Sequence, residues 1–406
     1  MSTWRKKVKK ILLWLSLELV IVVAAVLLIP QAQASQSHVP DVEAEPTNGF
    51  GVMVIANELK HPWSLVELPG HPLHFLVTER DGGFKRISEL GFIDDIPLVL
   101  PDLFVSGQAG LFAVSLAPDF ATSRAVFFSY ACGTATANST CVVRGKLSGS
   151  LPLKVTGLTK IFTAQPLREG AAHYGGRMVW LPDGTLLLTL GDGFDYREQA
   201  QNLDNHIGKI VRMSPTGDAV AGNPFPNKAG GYIFSYGHRN SQGLVYDAEQ
   251  NVIWQHEHGP RGGDELNRLQ AGKNYGWPMT SYGVDYTGAL VTPYKDLPGV
   301  TAPEYQWTPS LAPADMVIYQ GDLFSQWEGA LLVAQLAGRR LQVLQTSENG
   351  WQVAHELSFT DSAADAEPNK QRIRAVTVAS DGAIYVLTDS SSGQLLRVTP
   401  AGHSSF

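Results

Sequence analysis

The sequence predicts an all-β fold, a six-bladed β-propeller with four-stranded antiparallel blades. Three observations predict it. A turn rich in Pro, Asp or Gly followed by a short apolar run recurs six times. The copies lie roughly fifty to eighty residues apart, a period of propeller blades or solenoids. The runs are short and rich in Val, Ile, Phe and Tyr, which favours strand over helix. No convincing amphipathic helix follows residue 49, so a helical solenoid is disfavoured.

Taken in order, Leu68-Pro69-Gly70 leads to Phe75-Leu76-Val77-Thr78, and Ala117-Pro118-Asp119 to Val126-Phe127-Phe128-Ser129. Leu181-Pro182-Asp183-Gly184 leads to Leu186-Leu187-Leu188-Thr189, and Asp247-Ala248-Glu249 to Val252-Ile253-Trp254. Gln326-Trp327-Glu328-Gly329 leads to Leu331-Leu332-Val333, and Ser380-Asp381-Gly382 to Ile384-Tyr385-Val386-Leu387-Thr388. A propeller gathers its connecting loops at the two ends of a central channel. Functional side chains are therefore expected on loops at one mouth, drawn from the whole length of the chain.

The propeller is assigned to residues 49–406, behind a targeting segment at 1–34 and a linker at 35–48. Arg5, Lys6, Lys7, Lys9 and Lys10 form a positive region, Ile11 to Ile29 is largely apolar, and Ala32-Gln33-Ala34 offers a small-x-small cleavage site. The chain is thus expected to be exported, periplasmic or secreted. The apolar run nearly reaches bilayer length, so an uncleaved inner-membrane anchor is the alternative, although Glu18 within it is costly in lipid. A net charge of −7, with basic residues clustered only at the N-terminus, speaks against a nucleic-acid partner.

There are two cysteines, Cys132 and Cys141, flanking a turn-rich polar loop from Gly133 to Thr140 between β-type runs. Export predicts a disulfide closing this hairpin. Asn138-Ser139-Thr140 is a glycosylation sequon, given little weight because the export signal and overall character resemble those of a bacterial chain.

Several polar motifs fall in loops. His173, in Ala171-Ala172-His173-Tyr174-Gly175-Gly176-Arg177, is a candidate general base, its paired glycines allowing close approach of backbone to a ligand. It could equally cap a turn. In Gly191-Asp192-Gly193, Asp192 could orient His173, bind an ion, or cap the turn. Arg239 and Asn240, in Tyr236-Gly237-His238-Arg239-Asn240, suit a planar polyanion or quinone carboxylates. His256-Glu257-His258 lacks the i, i+4 helical spacing of a zinc protease. The glycines and acids that follow, to Asp264 and Glu265, suit a hard cation such as Ca²⁺. Arg372 and Arg374 lie on one face of an extended segment.

In this order HYGGR, LGDG, YGHRN, HEHGPRGGDELN, GKNYGWP and QRIR resemble the soluble quinoprotein aldose sugar dehydrogenases, relatives of soluble glucose dehydrogenase that use pyrroloquinoline quinone (PQQ). Gly107-Gln108-Ala109-Gly110-Leu111 and His61-Pro62-Trp63-Ser64 fit the same pattern, so the likeness runs from about Leu59 to Pro400. The resemblance implies PQQ with Ca²⁺ as cofactors, an aldose as substrate and a separate, unidentified electron acceptor. It implies His173 as the base that takes the proton of the sugar C1 hydroxyl. Gln108, Arg239, Asn240, Tyr286, Arg372 and Arg374 are implied as cofactor contacts. Gly259 and Pro260 are implied to face the PQQ-bound Ca²⁺, with Glu265 and Tyr275 as ligands of a structural Ca²⁺. Two positions depart from the pattern: Ala337 stands where relatives often have a Lys, with Arg339 and Arg340 nearby, and Ala375 where an Asp often follows the arginine pair. Short loops between blades imply a shallow mouth and broad sugar tolerance. A calcium-dependent lactonase, which would need carboxylates and amides converging on an axial metal, and a non-catalytic propeller that binds glycan or protein remain the alternatives.

Overall fold

The computed structural model describes residues 49–70, 72–359 and 371–403. The export segment and the linker lie outside the described residues. Among the described residues, twenty-four strands form six four-stranded sheets. The first five blades follow chain order: β2–β5 (Pro62–Leu68, His74–Glu79, Phe84–Ser88, Ile93–Asp95), then β6–β9 (Leu111–Leu116, Ala125–Thr134, Ala137–Leu147, Val155–Thr163), then β10–β13 (Gly175–Trp180, Leu186–Leu190, Lys209–Met213, Ile233–Tyr236). The fourth is β14–β17 (Ser241–Asp247, Val252–Glu257, Asp264–Leu269, Tyr305–Trp307) and the fifth β18–β21 (Pro313–Ile318, Leu331–Gln335, Arg340–Ser347, Gly350–Leu357). The sixth joins β22–β24 (Ile373–Val378, Ile384–Thr388, Gly393–Pro400) to β1 (Phe50–Leu59), which pairs antiparallel with β24. The two ends of the domain thereby share one blade and close the ring.

All six apolar runs of the repeat are second strands: β3, β7, β11, β15, β19 and β23. Their unbroken apolarity has a physical cause, since successive residues of a strand point to opposite faces. Each second strand is sandwiched between neighbouring blades and feeds two cores. Leu186 and Leu188 pack toward the second blade, with Phe127 and Val142. Leu187 between them packs toward the fourth blade, with Leu244 and Leu269. In β23, Ile384 and Val386 serve one interface, and Tyr385 and Leu387 the other.

The inner strands contact each other in the cycle β2, β6, β10, β14, β18, β22 and back to β2. Strand β22 therefore stands across the channel from β10. Antiparallel order places the starts of the inner strands and the ends of the second strands at the same mouth.

The disulfide joins Cys132 and Cys141. The polar stretch between them, read as a loop, is mostly ladder. Gly133 pairs with Asn138 and Thr134 with Ala137, leaving a two-residue turn. Asn138 is fully buried and accepts the Tyr174 hydroxyl at 2.6 Å, so the sequon is closed to a glycan.

Candidate active site

The mouth is built around His173, just ahead of β10. The residue has φ 51°, a left-handed conformation that bulky side chains rarely adopt. Both its backbone groups are tied: the amide donates to Gln108 Oε1 at 2.9 Å, and the carbonyl accepts Arg168 Nη2 at 3.1 Å. Gly191 lets the neighbouring hairpin pass beneath, because a Cβ there would run into the His173 carbonyl. The glycines after His173 serve packing and not ligand approach. Gly175 and Gly176 are buried, and side chains there would meet β11 and Phe112.

Asp192, at the end of β11, is the orienting group. Its Oδ1 lies 2.7 Å from His173 Nδ1 and also accepts the Phe194 amide at 2.8 Å. Its Oδ2 accepts Trp277 Nε1 at 2.8 Å. Burial works to raise the Asp192 pKa, but the hydrogen bond and charge of His173, the Arg239 charge and the Phe194 amide hold it below the ordinary carboxylate range. An ionised Asp192 keeps the proton on Nδ1, and Nε2 has no hydrogen-bond partner among the described residues. Burial lowers the His173 pKa, with Asp192 opposing and Arg239 and Arg168 adding to the depression. His173 is thus a neutral imidazole at neutral pH with its acceptor nitrogen open.

Arg239 and Asn240 precede β14. Arg239 is buried, and its Nη1 donates to the carbonyls of His258 at 3.2 Å and Gly259 at 2.6 Å. Its Nη2 reaches the Tyr286 hydroxyl at 3.3 Å, and its guanidinium lies over the Trp277 ring at 5.2 Å. Asn240 uses Oδ1 to tie Gly175 N to Gln242 Nε2. Tyr286 is exposed, in the long connection 270–304 within the fourth blade. That connection also carries Trp277, so the mouth is walled on this side despite the short loops expected between blades.

Arg372 and Arg374 stand across the channel with β22. Both donate to Asp389 Oδ2, at 3.2 Å from each Nη2, and His61 approaches the other Asp389 oxygen at 3.5 Å. Burial pushes the Asp389 carboxyl up, but the two arginines overcome this and bring it down to about 2. Asp389 thus pairs with both arginines, while Ala375 is buried in the blade. Arg340, one of two candidates to offset Ala337, is instead held by Glu356 and the Gly338 carbonyl.

Between the two sides lies Arg177, which closes the channel below the mouth. Its guanidinium donates to Gln242 O and Ala314 O at 2.8 Å and Arg374 O at 3.3 Å. It pairs with Asp315 at 3.3 Å and sits 4.0 Å from the Trp63 ring centre. One side chain on β10 therefore ties β14, β18, β22 and β2. Burial lowers its pKa to about 10 and raises that of Asp315 to about 6, each opposed by the partner's charge. An axial lactonase metal would need this space for carboxylates and amides, and a guanidinium occupies it.

Of the four expected calcium contacts, Gly259 and Glu265 line one small cavity with Glu257, Thr280 and Ser281. Its volume of about 10 Å³ suits a single water or ion. Glu257 and Glu265 are directly opposite each other in the β15–β16 ladder. Burial, with the Glu257 charge, pushes the Glu265 pKa well above the ordinary range. Arg239 also lines it and its charge opposes a cation, while the two crowded carboxylates and two hydroxyls are oxygen donors of the kind a hard divalent cation takes. Pro260 and Tyr275 do not line this cavity. The Tyr275 hydroxyl donates to Arg268 O at 2.7 Å, and its ring stacks on His238. Asp264, expected among the acids of a cation site, is instead spent on the protein: it accepts from Gly259 N, Ser310 Oγ, Leu311 N and Ala312 N. His256 is fully buried and His258 bonds Pro313 O, so the two do not form a metal pair. Among the described residues, no group of three His, Cys, Asp or Glu side chains gathers as a metal site.

The model of the glucose/sorbosone dehydrogenase family matches residues 59–397, nearly the whole propeller. The chain belongs to this family. The aldose sugar dehydrogenase YliI of Escherichia coli strain K12 is 39% identical to this dehydrogenase, over 86% of this chain and 92% of the relative. The apo crystal structure of the soluble aldose sugar dehydrogenase from Escherichia coli superposes with a TM-score of 0.79 at 36% identity, over 86% of this chain and 99% of the other. The PQQ-bound aldose sugar dehydrogenase of Streptomyces coelicolor gives 0.67 at 27%, over 87% and 100%. Membership makes this dehydrogenase an oxidoreductase. Sequence reasoning left the roles of Asp192 and Arg177 unassigned, although both sit in quoted motifs, and it missed Asp389. The GDG turn and the Arg closing HYGGR were the available signals.

Proposed function

We propose that this dehydrogenase oxidises the C1 hydroxyl of aldose sugars to the lactone with PQQ and Ca²⁺, after export to the periplasm or beyond the cell. The observation that carries the proposal is the His173–Asp192 pair with Nε2 open at a cationic mouth. The family and the PQQ-bound relative support the cofactor. The donor set fits it too. Arg372 and Arg374 share one carboxylate, and among the described residues no carboxylate lies within ion-pair distance of Arg239. That excess of guanidinium suits a planar tricarboxylate, which Arg239, Arg372 and Arg374 would hold, with Gln108, Asn240 and Tyr286 beside it. Glu265, with Glu257, Thr280 and Ser281, would hold a structural Ca²⁺, and the Gly259–Pro260 segment would lie nearest a second Ca²⁺ bound with PQQ. PQQ when bound supplies the hydride acceptor. His173 Nε2 takes the C1 hydroxyl proton as the C1 hydride leaves, so the hemiacetal carbon loses two electrons and becomes the lactone carbonyl. Asp192 holds the imidazole in the right tautomer and stabilises the imidazolium that forms. The disulfide supports an oxidising compartment.

The test is titration of purified apo protein with PQQ and Ca²⁺, followed by dye reduction with glucose and other aldoses. Activity should appear at near-stoichiometric PQQ, fall on prolonged EGTA treatment and return with Ca²⁺. Mg²⁺ should restore it poorly, because it demands tighter octahedral geometry. Saturable PQQ binding without dye reduction for any aldose would instead favour a non-catalytic propeller.

A further inference from the structure

Phe194 departs twice from what an apolar side chain ordinarily does. Its ring is 46% exposed at the mouth. Its backbone has φ 70°, directly after Gly193 at φ 72°. Large aromatic residues seldom adopt the left-handed region, and an observed outlier points toward function when the surroundings enforce it. Here they do. The Phe194 amide donates to Asp192 Oδ1, the same oxygen that binds His173 Nδ1. Gly193 is pinned from below, since a Cβ there would meet the Arg168 side chain at 2.6 Å. One carboxylate thus sets the positions of the His173 and Phe194 rings together.

The rings form a continuous surface. Phe194 meets His173 edge-on, with centroids 5.2 Å apart. On its other side it stacks with Tyr286 at 6.1 Å and an interplanar angle of 21°. Tyr286 is 56% exposed, and its hydroxyl is met by Arg239. The mouth therefore has a row of aromatic rings running from the open imidazole to the Arg239 guanidinium, with Phe194 and Tyr286 close to parallel and His173 turned 72° from Phe194. A pyranose with equatorial hydroxyls has axial C–H bonds on its ring faces, and such a face packs on an aromatic ring.

Resting on the sugar-dehydrogenase reading above, we infer that Phe194 is a specificity-determining residue, the platform on which the C–H face of the pyranose ring packs while C1 lies at His173. Phe194→Gly tests this without straining the backbone, because glycine adopts φ near 70° freely. The KM for glucose should rise about tenfold or more from the lost aromatic packing, with kcat changed much less. Phe194→Tyr should restore the wild-type KM. The affinity of the apo protein for PQQ, read by titration, should match wild type in both variants, as should the pH profile of kcat/KM. A KM for Phe194→Gly within twofold of wild type overturns the inference alone. So does weakened PQQ binding, which would make Phe194 a cofactor residue, or a shifted pH profile, which would make it a prop for Asp192. Failure of PQQ-loaded wild type to oxidise any aldose would overturn the underlying reading and the inference with it.

Discussion

The surroundings of His173 suit it to the proposed role of base. Its pKa lies below the usual 6.5, with burial as the main cause and Asp192 as the main opposition. The protonated, inactive imidazole therefore appears only as pH falls below that value, and kcat/KM should rise with pH in the acidic range and be flat by neutrality. Asp192→Asn removes the opposing charge, so the inflection should move to still lower pH while the rate falls. On the proposed reading, in which the arginines hold the cofactor's carboxylates, His173→Ala should keep PQQ affinity and lose about 10²–10⁴ in kcat. A profile with its inflection above 6.5, or an alanine variant of near wild-type turnover, would contradict this assignment. His173 was legible as a candidate from its motif alone. Asp192 was not, because a Gly-Asp-Gly turn looks the same whether the carboxylate caps the turn or crosses to a histidine nineteen residues away.

At the level of the strand, the second strand of every blade was visible because it is buried on both faces and so carries no polar alternation. Other strands hid. Strand β1 reads FGVMVIANEL, its exposed residues in adjacent pairs and not in alternation, and nothing local says that it pairs with β24 at the far end of the chain. The polar run from Gly133 to Thr140 looked like a loop because its composition is that of a turn, yet ladder pairing overrides it. The disulfide across that hairpin closes a short loop, so its loss should cost about 2–3 kcal/mol. Cys132→Ser/Cys141→Ser should lower the thermal midpoint while leaving kcat close to wild type, because strands β7 and β8 stay paired without it. A double variant with wild-type stability, compared by thermal denaturation without reductant, would show that the bond is redundant.

For the whole molecule, the propeller's logic is that six separate interfaces converge on one axis. Sequence patterns report the interfaces, because each is a local alternation of apolar residues. They do not report the axis. Arg177 meets β14, β18 and β22 through carbonyls up to 197 residues distant, and Asp389 gathers His61 from the start of the chain with Arg372 and Arg374 near its end. Such contacts follow from ring closure, which no short motif encodes. The same convergence places an open imidazole just ahead of β10 opposite a pair of guanidiniums at the start of β22, and the proposed reaction there is hydride loss from C1. The most direct test is a single-turnover experiment. Protein loaded with PQQ and Ca²⁺ is mixed with glucose or with glucose deuterated at C1, and reduction of the bound cofactor is followed by absorbance. Both sugars should reduce the cofactor, several-fold more slowly with deuterium at C1 and much more slowly in His173→Ala. Reduction at equal rates with both sugars, in a protein whose chemical step has been shown to limit the signal, would contradict it.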